Sequence, residues 1–353
     1  MSNSSLQDTS TVLARNIECF EQQRCLIING PGDTFPQYLS EHGSDTYTFS
    51  YHFGYHQLYV QQLTEERAAF GTQIPESWNN FDTIIIYWPK EKALGQLLMQ
   101  MAMARVANNA AIYCVGLNKG GIKSAPQVAK ALELPANKVD AARHCSLFCC
   151  PVQSATSVDD NALIMASARV FEVTLNTETI VLVTLAGVFS SGRLDDGTAL
   201  LLQHLPNNQY DQVLDFGCGC GVITNAIAYL NPKAEVHAVD VNAFALHATQ
   251  LSLAKNGLKA NVYPVTGVQD IQQASLDCIV TNPPFHQGVK THYQITEQLF
   301  SQAPRLLKRH GEMRVVANRF LNYVPLLEAS FKQVAVPAST QKFAIYRCTA
   351  QPQ

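Results

Sequence analysis

The sequence predicts a doubly wound α/β fold present twice in tandem: two domains, each a mainly parallel, twisted sheet with an antiparallel closing strand. Three observations carry this. The second half alternates short apolar strands with helix-length segments and brief punctuation, the pattern of a sheet covered on both faces. The first half repeats that alternation more faintly. The length, 353 residues, suits two domains that each bury a core.

In chain order, the second half opens with a strand over 213–216 that runs into glycines. A helix over 222–230 is closed by Asn231 and Pro232. A strand over 235–240 and a helix over 243–256, stopped by Gly257, come next. Strands over 261–265 and 276–281, a helix near 295–307, a strand over 312–317 and a helix near 324–331 lead to two closing strands, 333–336 and 342–347. Only residues 337–341 separate this last pair, too few for a helical crossover, so it should be antiparallel.

In the first half, a strand over 25–28 runs into Asn29, Gly30, Pro31 and Gly32. A strand over 83–88 ends at Pro89, a helix over 93–108 follows, and a strand over 111–115 leads into the loop 116–121. Residues 82–89 (DTIIIYWP) match 277–284 (DCIVTNPP) at their apolar positions and at one proline, which reads as an internal duplication. The seam falls between Pro151 and Leu185. There 154–160 is linker-like, and 171–175 with 179–185 suggests a hairpin turning through Asn176, Thr177 and Glu178. The expected domains are 1–160 and 165–353.

Composition excludes several classes. Hydrophobic residues make up 47% and charged residues 15%, too apolar for a disordered chain. Lys and Arg number 25 against 28 Asp and Glu, so any nucleic-acid contact must use local groups such as Lys119, Lys123, Arg143, Arg193 and Lys290. The first ten residues lack a basic n-region and an apolar h-region, and no apolar run reaches the roughly 18–20 residues of a bilayer span. The 10 cysteines lie in apolar runs without zinc-ligand spacing, so they are expected to be buried free thiols of a reducing cytosol, and no metal is expected.

Residues 215–221 (DFGCGCG) stand between a strand and a helix. Gly217, Gly219 and Gly221 let the backbone turn tightly and approach a ligand, and Cys218 and Cys220 between them are there for small size. Asp240 ends the next strand, where a carboxylate can accept both hydroxyls of a ribose, and Val241 follows it. A dinucleotide fingerprint would place its last glycine three residues after the second. Here the gap is two, and Asp215 precedes the first glycine by two. That carboxylate opposes a pyrophosphate and suits a cationic ligand with an amino-acid tail. S-adenosylmethionine, with its sulfonium and ammonium, fits better than NAD.

Asn282, Pro283, Pro284 and Phe285 follow the fourth strand at the same carboxyl edge. Two prolines cannot continue a ladder, so the chain leaves the strand abruptly in an extended form. An exocyclic or amide nitrogen is a poor nucleophile because its lone pair is delocalised. The Asn282 side-chain oxygen and the Pro283 carbonyl can accept its two N–H bonds and orient it toward a sulfonium methyl. Phe285 offers a ring face on which a base can stack. The amine loses its proton after alkylation, so no general base is required; His286 stands beside the motif as a candidate participant. These residues alone leave the acceptor open between a guanine N2, an adenine N6 and a glutamine amide. An RNA-binding or assembly protein with a vestigial pocket is the alternative from outside the enzymes.

At these residues the sequence resembles the class I S-adenosylmethionine-dependent methyltransferases, with their Rossmann-like domains. It closely resembles the bacterial ribosomal RNA small subunit methyltransferase C family. The likeness spans nearly the whole chain: Tyr87 to Lys90, the loop 116–124, Gly187 to Ser190, Leu194 and Asp195, the 215–221 loop, Asn256 with Gly257, and Asn282 to His286. It implies methylation of a guanine N2 in 16S ribosomal RNA, with the assembled small subunit as substrate; the protein itself is expected to be a cytoplasmic monomer without membrane contact. It also implies two methyltransferase-like domains, of which only the C-terminal one binds cofactor. The first half has Tyr87, Trp88 and Pro89 where the second has Asn-Pro-Pro, which suits substrate docking or support of its twin. Phe189, Ser190, Asp195, Gly197 and Thr198 look like the family's lid over cofactor and base, with Arg193 as a small departure. Thr266 and Gly267 should lie near the adenine edge.

Overall fold

Unbroken apolar runs such as Ile84, Ile85 and Ile86 leave no polar face for solvent, and the strands they form are buried on both sides. The computed structural model describes residues 6–188, 192–206, 210–283, 290–321 and 323–350, in backbone only over 290–295. The chain divides between Ala168 and Arg169 into two compact units.

The first unit begins with α1 (Asp8–Arg15), β1 (Arg24–Ile28), α2 (Phe35–Glu41), β2 (Asp45–Ser50), α3 (Phe53–Gln62) and β3 (Ala68–Phe70). It continues through β4 (Phe81–Tyr87), α4 (Lys92–Met103), β5 (Val106–Leu117), α5 (Ala125–Ala131), β6 (Asn137–Ala142), β7 (Cys145–Val152) and α6 (Asp160–Ala166). The second unit opens on a separate hairpin, β8 (Arg169–Leu175) and β9 (Glu178–Thr184), followed by α7 (Asp196–Leu202). Then come β10 (Gln212–Phe216), α8 (Val222–Leu230), β11 (Glu235–Asp240), α9 (Ala243–Asn256), β12 (Asn261–Pro264) and β13 (Leu276–Thr281). The unit closes with α10 (Lys290–Leu306), β14 (Leu307–Asn318), α11 (Val324–Ser330), β15 (Gln333–Ser339) and β16 (Phe343–Thr349).

The duplication is visible strand by strand. One sheet runs β3-β2-β1-β4-β5-β7-β6 and the other β12-β11-β10-β13-β14-β16-β15, the same order with each strand in its counterpart's place. In both, the first five strands are parallel, the sixth (β7 or β16) runs against them, and the edge strand (β6 or β15) pairs antiparallel with the sixth, as in the closing pair β15 and β16. Even a side-chain bond recurs. The Asp82 carboxylate accepts the amide of Arg24 at 2.9 Å, and Asp277 accepts that of Gln212 at 2.8 Å.

The expected helix over 93–108 is too long. It stops at Met103, and β5 has begun by Val106. A bulge explains this: Asn109 takes φ 58°, and the β4–β5 register slips between Phe81/Val106 and Thr83/Ala111, so residues 107–110 bulge. The linker-like stretch is also shorter than expected. Asp159 caps α6 through Asn161, and the buried Asp160 carboxylate meets Arg105 at 3.0 Å. The hairpin through Asn176 forms as expected, and side chains of α9 satisfy β9. The Asn256 amide exchanges bonds with the backbone of Val181 (2.7 and 2.9 Å), and Ser252 Oγ accepts from the amide of Val183 at 2.9 Å.

Candidate active site

Parallel pairing brings strand ends together at one edge of the second sheet. Asp215 lies opposite Val280 and Phe216 opposite Val239, so β10 stands between β13 and β11. One step further along β10, the Thr281 hydroxyl donates to the carbonyl of Phe216 at 2.7 Å. The glycine loop therefore leaves β10 where Asn282 leaves β13, and Asp240 ends β11 on the other side.

The loop is pinned from below. The amides of Gly217 and Cys218 donate to the Val239 carbonyl (2.8 and 3.0 Å), and that of Gly219 donates to Asp240 Oδ2 at 3.1 Å. Gly217 and Gly219 take φ +80° and +57°, which glycine adopts without a Cβ penalty. A Cβ on either would enter space with no atom of the described residues within 4 Å, so these two residues floor an open cradle. Gly221 serves a different need: a Cβ there would press on Thr249 at 3.0 Å. Cys218 and Cys220 are buried, and Cys218 Sγ accepts from the Thr249 hydroxyl.

Asp215 is 0% exposed, so it lies beneath the cradle rather than lining it. Its Oδ2 accepts from the Thr224 hydroxyl at 2.5 Å, while Oδ1 is buried without a partner. Burial pushes its pKa up to about 7, against the opposing Thr224 bond and with help from the Asp240 charge. Burial raises Asp240 as well, although the amides of Asn242 and Gly219 work the other way. An under-satisfied buried carboxylate next to a second acid favours positive charge nearby.

Asn282 is half-buried. Its Nδ2 donates to Thr198 Oγ1 at 2.7 Å and, more distantly, to Asp195 Oδ1 at 3.4 Å, while its Oδ1 is buried with no partner among the described residues. Asp195 also caps α7, accepting from the amides of Gly197 and Thr198 at 3.0 Å each. Three residues expected in a lid are thus joined to Asn282. Pro283 is buried directly after it. Phe189, Ser190, Pro284, Phe285 and His286 lie outside the described residues.

Val241 is half-buried between Asp240 and Asn242. Thr266 and Gly267 follow β12, the outermost strand, and the Thr266 hydroxyl is engaged by Gln269 at 3.0 Å. Asn242 was not anticipated: it caps α9 through Phe244 and donates to the Gly187 carbonyl at 2.8 Å. An asparagine just before a helix is a capping signal that sequence reading could have used.

The first unit presents the same strand ends with a different filling. The Tyr59 hydroxyl accepts the Gly32 amide at 2.8 Å. A Cβ on Gly30 would collide with Tyr59, and one on Gly32 with the Tyr55 ring. Tyr87 stands where the second copy has Asn282 and Trp88 where it has Pro283; Trp88 is buried and donates to Ser124 at 3.0 Å. Aromatic rings stand over these glycines, whereas the space above Gly217 and Gly219 is open.

Among the described residues no three His, Cys, Asp or Glu side chains are placed to hold a metal ion, and no helix is long and apolar enough to cross a membrane. Two family models match the chain: the methyltransferase small domain N-terminal over residues 10–165 and the methyltransferase small domain over residues 179–347. Ribosomal RNA small subunit methyltransferase C of Aliivibrio salmonicida (strain LFI1238) is 36% identical over 340 residues, covering 96% of this chain and 97% of that one. Its namesake from Pseudomonas entomophila (strain L48) is 39% identical over 341 residues, covering 96% and 98%. The solved 16S rRNA N2 methyltransferase of T. thermophilus, in complex with AdoMet and guanosine, is 22% identical and aligns over 99% of this chain and 93% of its own, with a TM-score of 0.82. That likeness establishes the same fold across both halves. Matched nearly end to end by relatives at more than a third identity, the chain belongs to the ribosomal RNA small subunit methyltransferase C family.

Proposed function

We propose that this protein transfers a methyl group from S-adenosyl-L-methionine to the exocyclic N2 of a guanine in 16S ribosomal RNA, with the assembled small subunit as substrate. Its relatives carry the name of that enzyme. One observation supports the reading most directly: at Asn282 a buried amide oxygen has no partner among the described residues, at the strand end next to the open glycine cradle.

The cradle fits the methyl donor. Gly217, Cys218, Gly219 and Gly221 would hold its amino-acid portion over the under-satisfied Asp215, and Asp240, followed by Val241, retains lone pairs for ribose hydroxyls. Thr266 and Gly267 would border the adenine. Bound there, the donor supplies an electrophilic methyl on a sulfonium. Asn282 Oδ1 and the Pro283 carbonyl accept the two N–H bonds of the acceptor amine and aim its lone pair. As the nitrogen forms its bond to the methyl carbon, the carbon–sulfur bond would break, its electron pair staying on sulfur so that the donor leaves as the neutral thioether, and the nitrogen gives up a proton to water, so no basic side chain is assigned. Phe285 and His286, with Phe189 and Ser190, are proposed to close over the base.

The first domain, with its filled site, is assigned to substrate docking or support of its twin, and the protein is assigned to the cytoplasm as a monomer. The test is to incubate small subunits from a strain lacking the enzyme with labelled methyl donor and to map the labelled nucleoside. N2-methylguanosine is expected. Label in N6-methyladenosine would move the acceptor, and cofactor binding without any transfer would favour a vestigial pocket.

A further inference from the structure

Phe320 is 80% exposed, and its place is fixed. Asn318 Oδ1 accepts the Phe320 amide at 3.1 Å, and the Asn318 carbonyl accepts that of Leu321 at 2.9 Å, so a tight turn displays the ring. Immediately after it, Leu321 packs on the core and Tyr323 is buried. The turn belongs to the edge that carries the proposed catalytic asparagine. Thr281 pairs with Val315, and β14 runs on three residues past that point to Asn318.

A chain of contacts links the two. Thr198 of α7 binds Asn282. Gly197 lies against Phe343, whose ring a Cβ there would meet at 3.2 Å. In the turn before Phe343, the Lys342 carbonyl accepts the Arg319 amide at 2.8 Å and the Thr340 carbonyl accepts from Arg319 Nη1 at 3.2 Å. Residues 318–321 and 339–343 contain two cations, Arg319 and Lys342, both exposed, and no acid. Single exposed apolar side chains are ordinary on protein surfaces. Here the ring is held on a fixed turn, flanked by cations, and joined by packing to the residue that orients the acceptor.

We infer that Phe320, Arg319 and Lys342 form a docking rim for single-stranded RNA beside the target base. A neighbouring base stacks on Phe320, and phosphates pair with the two cations. This inference rests on the reading of the chain as an RNA methyltransferase and names residues for which that reading had no role.

The test measures anisotropy of a fluorescein-labelled single-stranded RNA bound to full-length protein, beside methyl-transfer kinetics on small subunits from a strain lacking the enzyme. Phe320→Ala should weaken RNA binding about tenfold, Phe320→Leu should do the same, and Phe320→Trp should bind like wild type, because stacking needs a π face rather than an apolar one. Arg319→Ala should reduce the salt dependence of binding by about one phosphate contact. Being exposed, Phe320 can be changed without disturbing the core. Unchanged binding by the Ala variant, rescue by Leu, or a wild type that binds no single-stranded RNA overturns the rim. So does a transfer defect on subunits with single-stranded RNA binding unchanged, which would make Phe320 a protein contact. Binding that depends on Phe320 without any methyl transfer would keep the rim and sink the enzymatic reading. Transfer with an unchanged KM in the Ala variant would do the reverse.

Discussion

The Asn282 side-chain nitrogen lies 2.7 Å from the Thr198 hydroxyl, and its oxygen is buried with no partner. A hydroxyl could serve either end of an amide, but the Asp195 carboxylate at 3.4 Å can only accept. The carboxylate therefore sets the orientation: the NH₂ faces α7 and the oxygen is left for an acceptor N–H. If that orientation matters, Thr198→Val should lower kcat about tenfold, the worth of one buried hydrogen bond, while Thr198→Ser retains most of it. Asn282→Ala removes the oxygen itself and should cost on the order of 100-fold in kcat. Donor affinity, measured by calorimetry, should change far less in each. Equal loss of turnover and donor affinity in the Ala variant, or a serine variant as slow as the valine one, would contradict the role.

Gly219 and Gly257 form a matched pair. Both are left-handed, at φ +57° and +63°, and a Cβ on either meets nothing within 4 Å. Alanine should therefore strain each backbone alike, by about 1 kcal/mol. Thermal melts should show similar losses for Gly219→Ala and Gly257→Ala, while only the first fills the cradle and loses S-adenosylmethionine binding. A Gly219→Ala protein that binds the donor normally would show that the open space above this glycine is not where the donor sits.

Asp215 should make both stability and donor binding depend on pH. Its folded pKa of about 7 lies above the unfolded value of roughly 3.9, so the folded state holds the proton more tightly. Its stabilising contribution is complete below about pH 4 and is lost as pH rises through about 7. Asp215→Asn should remove that decline, so the variant gains on wild type in denaturant melts from about pH 5 to about pH 8. A cationic ligand prefers the ionised carboxylate, which gives donor affinity the opposite slope: it should climb with pH up to about 7 and then flatten, with proton release below that point. The Asn variant should bind weakly with a flatter profile. Raised Asp240 acts in the same direction. Wild-type affinity that is independent of pH over this range would separate Asp215 from the ligand's charge.

What could be read from the sequence was what is encoded locally. The 215–221 loop declares its turn through glycines that the backbone requires, and Asn282 declares a strand end through the prolines behind it. The unbroken apolar run of β4 could be aligned with β13 because parallel strands buried on both faces leave a continuous hydrophobic signature. Contacts made at a distance left no such trace. Thr198 and Asn282 are 84 residues apart, and nothing near either announces the other. Asp215 read as a residue facing the ligand, yet burial places it under the loop, because a carboxylate on a two-sided strand must point into one layer or the other. The start of β5 was lost among Asn108 and Asn109, polar residues that a bulge accommodates and a helix pattern does not forbid.

The filled site of the first unit leads to a count. Tyr59 comes from α3, 27 residues after the glycine whose amide it accepts, and a second ring, Tyr55, stands against the same turn. These side chains occupy the room that the second unit leaves open over Gly217 and Gly219. Evicting a fully buried tyrosine to admit a ligand would expose apolar surface and break its bond to Gly32, a cost of about 3 kcal/mol or more before any new contact forms. Calorimetric titration of the full chain with S-adenosylmethionine should therefore reach a stoichiometry of one. The Gly219→Ala variant should abolish that single event without uncovering a second. Two sites per chain, or heat that persists in the Gly219→Ala protein, would mean that the aromatic filling yields, and that the first domain has kept a ligand of its own.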